Sequence, residues 1–250
     1  MPQFGLKPVE RTAPVATPAD LPELPWTLPG AEVVQITYEV DLEAALDLLP
    51  EALSRPVPPY ARLVITRYPS SPIGPCAEAL LLLACRYRME PKQFVVACVV
   101  TSEAARRAAA ALWGIDARTG SVELQRQRTA TGTEEITASV AAGEPLASVT
   151  LRAAYAIEPA MIRYDPFVSV RRDEDDKIEV FQFTGAPVVR EARLAKGAVV
   201  ACQTDAWADP WFRLRSLNMI SATFAVADLE RTAPVVQPAA GGGGSAGAAP

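Results

Sequence analysis

Short stretches of β-branched and other apolar residues recur along the middle of the chain and constrain its fold more than any other feature. Several of them alternate apolar with polar side chains, as Val122 and Leu124 do with their neighbours. A period of two is typical of antiparallel strands with one buried face. Turn residues between the stretches, as at 142–144 and 172–176, favour hairpins. The stretches are 32–40, 61–68, 77–89, 93–100, 121–129, 134–142, 147–157, 177–185 and 198–206.

Helix signals are few by comparison. Asp41 is suited to cap a helix that ends at Pro50, and Ser102 is suited to cap one that stops at Gly114. The region 209–220 is ambiguous between helix and strand. Many strands with two or three short helices predict an α+β fold, mainly antiparallel, whose sheet curls into a barrel or a double sheet.

Composition divides the 250 residues into three parts. Residues 1–25 form a Pro-rich arm without hydrophobic periodicity, which we expect to lie over the surface or to be partly disordered. Residues 26–232 are enough for one large β-rich domain that encloses a ligand cavity. The last part, residues 233–250, is rich in Gly and Ala, a composition that favours a flexible tail.

The chain contains no histidine, which removes the usual general base near neutral pH and the commonest metal ligand. Ser-His-Asp and Cys-His hydrolysis and histidine-bound zinc or iron sites are therefore excluded within this chain. The cysteines form no CxxC pair, and the acidic run 173–176 lacks the spacing and the glycine of a calcium loop. We expect no metal and no cofactor, so acid–base work falls to carboxylates, Tyr, Lys, Cys or water.

Charge and hydropathy indicate the kind of partner. A net charge of −5 argues against nucleic acid, whose phosphates attract clustered basic residues. No apolar run approaches the ~20 residues that span a bilayer, and the first residues lack a basic segment followed by an apolar stretch. We expect a cytoplasmic protein that binds a small-molecule substrate, without nucleic acid or membrane, and that forms homo-oligomers.

Three motifs occur in the order known from one enzyme family. Ile36-Thr37-Tyr38 is followed by Asp41 and then by the segment 49–53, which reads LPEAL. The segment 68–78 reads YPSSPIGPCAE, and 105–114 reads ARRAAAALWG. In order and spacing the chain resembles the acetoacetate decarboxylase family over roughly residues 30 to 230. The resemblance implies a curled, mainly antiparallel domain with an enclosed, largely apolar pocket.

The resemblance also implies which residues are missing. In that family a lysine in the loop after the second helix forms an imine with a β-keto acid, and the imine accepts electrons while carbon dioxide leaves. Here that loop holds Ala117 and Arg118, and Ala31 stands where the family has an arginine for the substrate carboxylate. Glu78 matches the family's acidic active-site residue. Because neither alanine nor arginine forms a Schiff base, we do not expect acetoacetate decarboxylase activity.

The other lysines offer no obvious substitute. Lys92, Lys177 and Lys196 lie in predicted turns, where we expect solvated side chains. Lysine is almost never fully buried unless it is paired. An imine-forming lyase that uses a displaced lysine stays open as an alternative.

Candidate site residues combine the local pattern with the resemblance. Glu78 enters an apolar strand, where desolvation would suit a general acid or base, although a surface ion pair is an equal alternative. Arg118 would supply a cation for an enolate or carboxylate oxygen, or would be a solvated loop residue. The candidates for substrate binding are Tyr68, Tyr87, Trp113 and Asp116, with Tyr164 as a further hydroxyl donor. Each of these has a packing or turn role as its alternative.

We therefore predict a lysine-independent enzyme of specialised, polyketide-type metabolism. It would catalyse the cyclisation, dehydration or isomerisation of a carbonyl-rich substrate in the barrel pocket, with Glu78 giving acid–base help. A non-catalytic small-molecule binding protein on the same fold is the main alternative.

Overall fold

A computed structural model describes residues 3–11, 17–128, 130, 134–183, 185, 187–202 and 205–239. Strands dominate it and most neighbours run antiparallel, which confirms the predicted α+β, mainly antiparallel fold. The strands are β1 (Trp26–Glu39), β2 (Tyr60–Tyr68), β3 (Cys76–Tyr87), β4 (Glu90–Val100), β5 (Ala117–Thr119), β6 (Ser121–Arg128), β7 (Glu134–Ala142), β8 (Glu144–Ala156), β9 (Phe167–Arg172), β10 (Ile178–Phe183), β11 (Val188–Cys202), β12 (Asn218–Arg231) and β13 (Val235–Pro238). The helices are α1 (Leu42–Leu48), α2 (Glu103–Trp113) and α3 (Pro210–Arg213), and a 3₁₀ turn covers Pro159–Met161.

The described strands belong to one curled sheet. Its order is β13-β10-β9-β4-β3-β2-β1-β12-β11-β8-β7-β6, with β5 added beside β4. Strand β4 pairs in parallel with β5 and β9, whereas the other ladders are antiparallel. Strand β6 stands at one end of this order, yet it packs against β2, β3 and β4, which stand near the middle of the order. The sheet therefore folds over on itself, and the main core lies between its two halves.

The central strand β3 is buried on both faces, which explains its continuous apolar run. Leu81 and Leu83 belong to the main core, whereas Leu80 and Leu82 belong to a second cluster with α2. Successive side chains of a strand point to opposite faces, so each face of β3 has its own set of neighbours. The second face carries the candidate site described below.

Both predicted helices form, with the predicted caps. Asp41 accepts a hydrogen bond from the backbone N–H of Ala44 at 2.9 Å, and the Ser102 hydroxyl accepts one from that of Ala105 at 3.1 Å. Gly114 ends α2 at a φ of 60°, in the left-handed region that glycine adopts without strain. Because α2 ends with Trp113, the caps of this helix at Ser102 and Gly114 also fix the position of that side chain.

We expect Ser102→Ala to lower the free energy of unfolding by about 1 kcal/mol, because the N–H of Ala105 loses its acceptor. Urea denaturation measures the change, with Ser121→Ala at an exposed strand position as the control. Equal stability of the two variants would contradict the capping role.

The segments that flank the predicted domain both contact it. In the N-terminal arm, the N–H of Leu6 donates to the carbonyl of Leu46 at 2.8 Å. The sequence predicts a flexible tail from residue 233, whereas Val235–Pro238 form β13 against β10. Two β-branched residues and a hydrogen bond from the Tyr87 hydroxyl to the Pro238 carbonyl, at 2.8 Å, anchor this strand. The domain therefore extends past residue 232, and the predicted glycine-rich tail at 240–250 lies outside the described residues.

The ambiguous region 209–220 contains both kinds of structure. Asp209 caps the short helix α3 by accepting from the N–H of Trp211, and β12 begins at Asn218. The predicted strand 198–206 corresponds to the end of β11, which already begins at Val188. Within the described residues, every helix is too short to cross a membrane.

Candidate active site

The face of β1, β2 and β3 that points away from the main core borders a cavity of about 130 Å³. On β2 this face presents Arg62, Val64, Thr66 and Tyr68, because side chains two residues apart share a face. Strand β3 adds Glu78 directly opposite Thr66. The remaining walls come from the segment before β9, from the end of β10 and from the end of β12.

Four side chains meet at one end of the cavity, and we call them the Glu78 cluster: Tyr68, Glu78, Trp113 and Arg231. The Tyr68 hydroxyl donates to Glu78 Oε1 at 2.5 Å. Arg231 Nη2 donates to the Tyr68 hydroxyl at 2.9 Å and also to Glu78 Oε1. The Arg231 guanidinium lies over the Trp113 ring, 5.0 Å from its centroid, in a favourable cation–π position. Trp113 itself packs edge-on against Trp26, with ring centroids 5.2 Å apart.

The Glu78 cluster leaves polar atoms for a ligand. Both hydrogen bonds to Glu78 fall on Oε1, and both from Arg231 come from Nη2. Among the described residues, none makes a hydrogen bond to Glu78 Oε2 or to Arg231 Nη1 and Nε. The side chains of Glu78 and Arg231 are 10% and 19% exposed, and both line the cavity. A carboxylate oxygen and N–H groups of a guanidinium are therefore available to a molecule bound there.

Burial and charge set the protonation of this cluster. Burial alone would lower the pKa of the Arg231 guanidinium, but the charge of Glu78 and the contact with Tyr68 outweigh it, so the pKa is raised. Burial raises the pKa of the Tyr68 hydroxyl well above its usual value, and Glu78 adds to this effect while Arg231 opposes it. Arg231 is therefore a permanent cation here, and Tyr68 is a neutral hydrogen-bond donor.

Tyr164 contributes another hydroxyl to the cavity wall. Its oxygen is buried without a hydrogen-bond partner among the described residues. Burial raises the pKa of this phenol to about 12. The ordinary value is about 10, so the hydroxyl is a neutral donor over the whole physiological range.

The stability of the protein is expected to decrease between about pH 10 and pH 12 in part through Tyr164. In this range the unfolded chain releases the phenol proton while the folded chain keeps it, so rising pH favours unfolding. Urea denaturation at about pH 9, 10 and 11 measures how the free energy of unfolding changes with pH. Tyr164→Phe should flatten the slope, whereas Tyr155→Phe at an exposed site should leave it unchanged. The same slope in both variants would contradict the buried state of the Tyr164 hydroxyl.

Three predicted site residues, Tyr68, Glu78 and Trp113, come together at the cavity. They come from β2, β3 and the end of α2. Strands β2 and β3 are neighbours in the chain, whereas β4 and the rest of α2 lie between β3 and Trp113. Tyr164, predicted as a further hydroxyl donor, lines the same cavity.

The other three predicted residues lie elsewhere. Arg118 is exposed on β5 and forms an ion pair with Asp209 at 3.0 Å, so it presents no cation to the cavity. Asp116 is exposed beside a separate groove under the N-terminal arm. Tyr87 belongs to the main core and bonds to Pro238. The chain after α2 joins β4 as the parallel strand β5, which directs the side chains of Asp116 and Arg118 to the surface.

The guanidinium in the Glu78 cluster comes from Arg231, a residue that the sequence did not single out. It lies 153 residues after Glu78 and reaches it because β12 pairs with β1 along the whole strand. No local spacing or motif identifies Arg231 as a site residue. Only the pairing of strands that are distant in the chain brings it to Glu78. Ala31, which the resemblance aligns with the family's arginine, is buried on β1.

The structure corrects the environment predicted for Lys92. The sequence predicts a solvated turn, whereas Lys92 lies on β4 with a side chain that is 8% exposed. Its amine pairs with the exposed carboxylate of Glu90 at 3.0 Å, so the stem is buried while the charged end reaches the surface. Lys177 pairs with Asp175 at a hairpin tip, as expected for a solvated side chain. Lys196 lies within β11 rather than in a turn, and its side chain is outside the described residues.

Comparison with solved structures supports the fold. An acetoacetate decarboxylase from Legionella pneumophila superposes with a TM-score of 0.76 at 17% identity, over 86% of this chain and 88% of that one. The enduracididine biosynthesis enzyme MppR, complexed with pyruvate, gives 0.71 at 16% identity over 87% and 92%. An acetoacetate decarboxylase-like enzyme from Sphingomonas wittichii RW1 gives 0.72 at 13% identity over 88% and 95%. At such identities the likeness concerns the fold alone.

The family itself is established by sequence. No curated protein matches the chain significantly. The family model for acetoacetate decarboxylase, in contrast, matches residues 12–238, which is nearly the whole chain. This match includes the strands that border the cavity and all four members of the Glu78 cluster. The chain therefore belongs to the acetoacetate decarboxylase family.

Proposed function

We propose that this protein is an enzyme that rearranges a small carbonyl compound in its cavity without forming an imine. The observation that carries the proposal is the Glu78 carboxylate held beside the Arg231 guanidinium at a cavity with mostly apolar walls. A base next to a fixed cation is the arrangement that removes a proton adjacent to a carbonyl group and stabilises the resulting charge. Cyclisation, dehydration and isomerisation of a carbonyl-rich molecule can all begin in this way.

The first step is a proton transfer. Glu78 Oε2 takes a proton from the carbon next to the carbonyl, and the electron pair of that C–H bond becomes part of an enolate. Arg231 donates from Nη1 to the enolate oxygen, where the new negative charge is located. Tyr68 fixes the orientation of Glu78 through its 2.5 Å hydrogen bond. Apolar walls exclude water and strengthen these interactions.

The enolate then has three outcomes. Attack on a second carbonyl of the same molecule closes a ring, and the new alkoxide takes the proton back from Glu78. Loss of a β-hydroxyl group, which leaves as water with the proton from Glu78, gives a conjugated alkene. Return of the proton to another carbon of the conjugated system gives an isomer. Each outcome is redox-neutral and returns Glu78 to its carboxylate form.

A role in specialised metabolism is the second part of the proposal. One enzyme with this fold, MppR, acts in enduracididine biosynthesis, and its structure holds pyruvate, a small carbonyl compound. The loop position at which the family resemblance places the imine-forming lysine holds Ala117 and Arg118 in this chain. These two observations together favour a relative that uses the same fold for a different carbonyl reaction.

Deuterium exchange tests the proposal without knowledge of the natural substrate. In D₂O the wild-type protein is expected to accelerate the exchange of protons next to the carbonyl of acetone and of 2-octanone, followed by ¹H NMR. Glu78→Gln should lose the acceleration, and Glu123→Gln, at an exposed position of β6, should retain it. Ketones that bind to the wild type without any accelerated exchange would overturn the proposal in favour of a non-catalytic binding protein.

A reduction experiment separates this mechanism from imine chemistry. Sodium borohydride added in the presence of a keto acid should leave the mass of the protein unchanged, because no amine lines the cavity among the described residues. A covalent adduct would contradict the proposed mechanism and support an imine-forming lyase with a displaced lysine.

A further inference from the structure

Three cross-strand rows of side chains lie along the face of β1, β2 and β3 that borders the cavity, and most of their members line it. In the first row Val33, Thr66 and Glu78 lie opposite one another on β1, β2 and β3. The second row is Gln35, Val64 and Leu80, and the third is Thr37, Arg62 and Leu82. Rows on one face are two residues apart, about 6.6 Å, so the first and third rows are separated by about 13 Å.

The third row carries its own polar centre. Arg62 is 12% exposed on its side chain and lines the cavity. It pairs with Asp165 at 2.9 Å through Nη2, and its Nε donates to the Thr37 hydroxyl at 3.3 Å. Its third nitrogen, Nη1, makes no hydrogen bond to the described residues. Because Asp165 already balances its charge, Arg62 is suited to an uncharged oxygen acceptor rather than to a free anion.

A second donor lies next to this pair along the chain. Tyr164 precedes Asp165 and lines the same cavity, and its buried hydroxyl has no partner among the described residues. A buried hydroxyl without a partner is costly, so such a group in a cavity wall indicates a ligand or water that accepts its hydrogen bond. Arg62 and Tyr164 therefore each offer an unused donor to the cavity. The Tyr164 ring packs against the cluster that contains Val33 and Tyr68, toward the first row, so Arg62 is the unused donor of the third row.

The space between the two polar ends is mainly apolar. Val64 and Leu80 form the second row together with Gln35. Phe167 and Phe183 stack with their ring centroids 5.0 Å apart, and both line the cavity. An extended hydrocarbon segment would remove this apolar surface from water, whereas a molecule of the size of acetone would leave most of it uncovered.

We infer that the substrate is an elongated oxygenated acyl or ketone chain with an uncharged oxygen function at its far end. Its reacting carbonyl binds at the Glu78 cluster, an apolar segment of several carbons lies along Val64 and Leu80, and a hydroxyl or carbonyl oxygen accepts from Arg62. This inference rests on the proposed function for the identity of the reacting end. It adds a second recognition site, at the third row, that sets the length and the terminal group of the substrate.

Matched ketones test the second site. The wild-type protein is expected to bind 8-hydroxy-2-octanone about 10-fold more tightly than 2-octanone, since one good hydrogen bond from a buried donor is worth about 1.4 kcal/mol, or a factor of ten. The shorter 5-hydroxy-2-pentanone cannot span the rows and should gain nothing over 2-pentanone. Dissociation constants come from titrations followed by NMR or calorimetry.

One double variant locates the effect. The double variant Arg62→Met with Asp165→Asn removes both charges together, which avoids a buried unpaired charge, and should abolish the preference. Arg67→Met, which removes an ion pair on the opposite face of β2, serves as the control and should leave the preference unchanged.

The outcomes distinguish this inference from the proposed function. No preference for the terminal hydroxyl in the wild type, or a preference that survives the double variant, would overturn the second site. Exchange of the protons of acetone depends on the Glu78 cluster alone, so its loss in the wild type would count against the proposed function and not against the second site.

Discussion

Glu78→Gln is expected to slow the exchange of ketone protons by about 100- to 10,000-fold, the usual contribution of a positioned general base. Glutamine keeps the shape of the side chain and still accepts from Tyr68 and Arg231 through its amide oxygen, so the geometry of the cluster is maintained. It offers no carboxylate oxygen to take the proton. The rate constants are measured by ¹H NMR in D₂O for the wild type and the variant at equal protein concentration.

Glu78→Asp gives a graded test of the same role. Aspartate keeps the negative charge but withdraws it by one methylene group, so exchange should fall between the wild-type and Glu78→Gln rates. Glu123→Gln, at an exposed site on β6, should exchange at the wild-type rate. If Glu78→Gln retains wild-type exchange, Glu78 is not the base and the carboxylate serves only to neutralise Arg231.

Arg231→Met is expected to lower the free energy of unfolding by about 3–5 kcal/mol, because it leaves the Glu78 carboxylate in the protein interior without its counter-ion. Methionine fills a similar volume and can still pack on the Trp113 ring, so lost packing accounts for little of the change. Urea denaturation of the wild type and the variant measures the difference. The same variant should also lose exchange, since the enolate oxygen has no cation.

A double-mutant cycle shows that the loss comes from an unpaired charge. Arg231→Met combined with Glu78→Gln should recover much of the stability, because no charge stays buried. Arg190→Met removes the arginine of an exposed pair with Asp228 on a neighbouring strand, and its effect should be far smaller. If Arg231→Met is no more destabilising than Arg190→Met, the pair is solvated in solution and the Glu78 cluster is not the desolvated site that the mechanism requires.

Local sequence correctly predicts the helices and strands whose structure depends on residues a few positions away in the chain. The caps at Asp41 and Ser102 hydrogen-bond to N–H groups three residues away, so both helices could be predicted with their ends. Most strands of the two-residue period were predicted for the same reason. Strands β5 and β9, most of β12, and β13 were not predicted. Val235–Pro238, for example, form a strand through pairing with β10 and not through a pattern of their own.

In the candidate site, too, some residues could be predicted from the sequence and others could not. Glu78 and Tyr68 were each predicted as site residues, and they lie on adjacent antiparallel strands joined by a short turn. Arg118 was predicted to be a site residue because of its position in the chain after α2. The parallel pairing of β5 with β4 instead turns it toward Asp209 at the surface. Lys92 was predicted to be solvated, yet the inner face of β4 buries its stem.

By itself the sequence determined that this chain is β-rich and antiparallel, that no histidine acts in it, and that a carboxylate at residue 78 enters an apolar strand. Those properties follow from residue types and short spacings. The tertiary structure alone decided that Arg231 is the partner of Glu78 and that Arg62 and Tyr164 share the cavity. The physical reason is that strand pairing and sheet curvature bring together side chains more than a hundred residues apart, and their charges interact strongly only once burial has removed water between them.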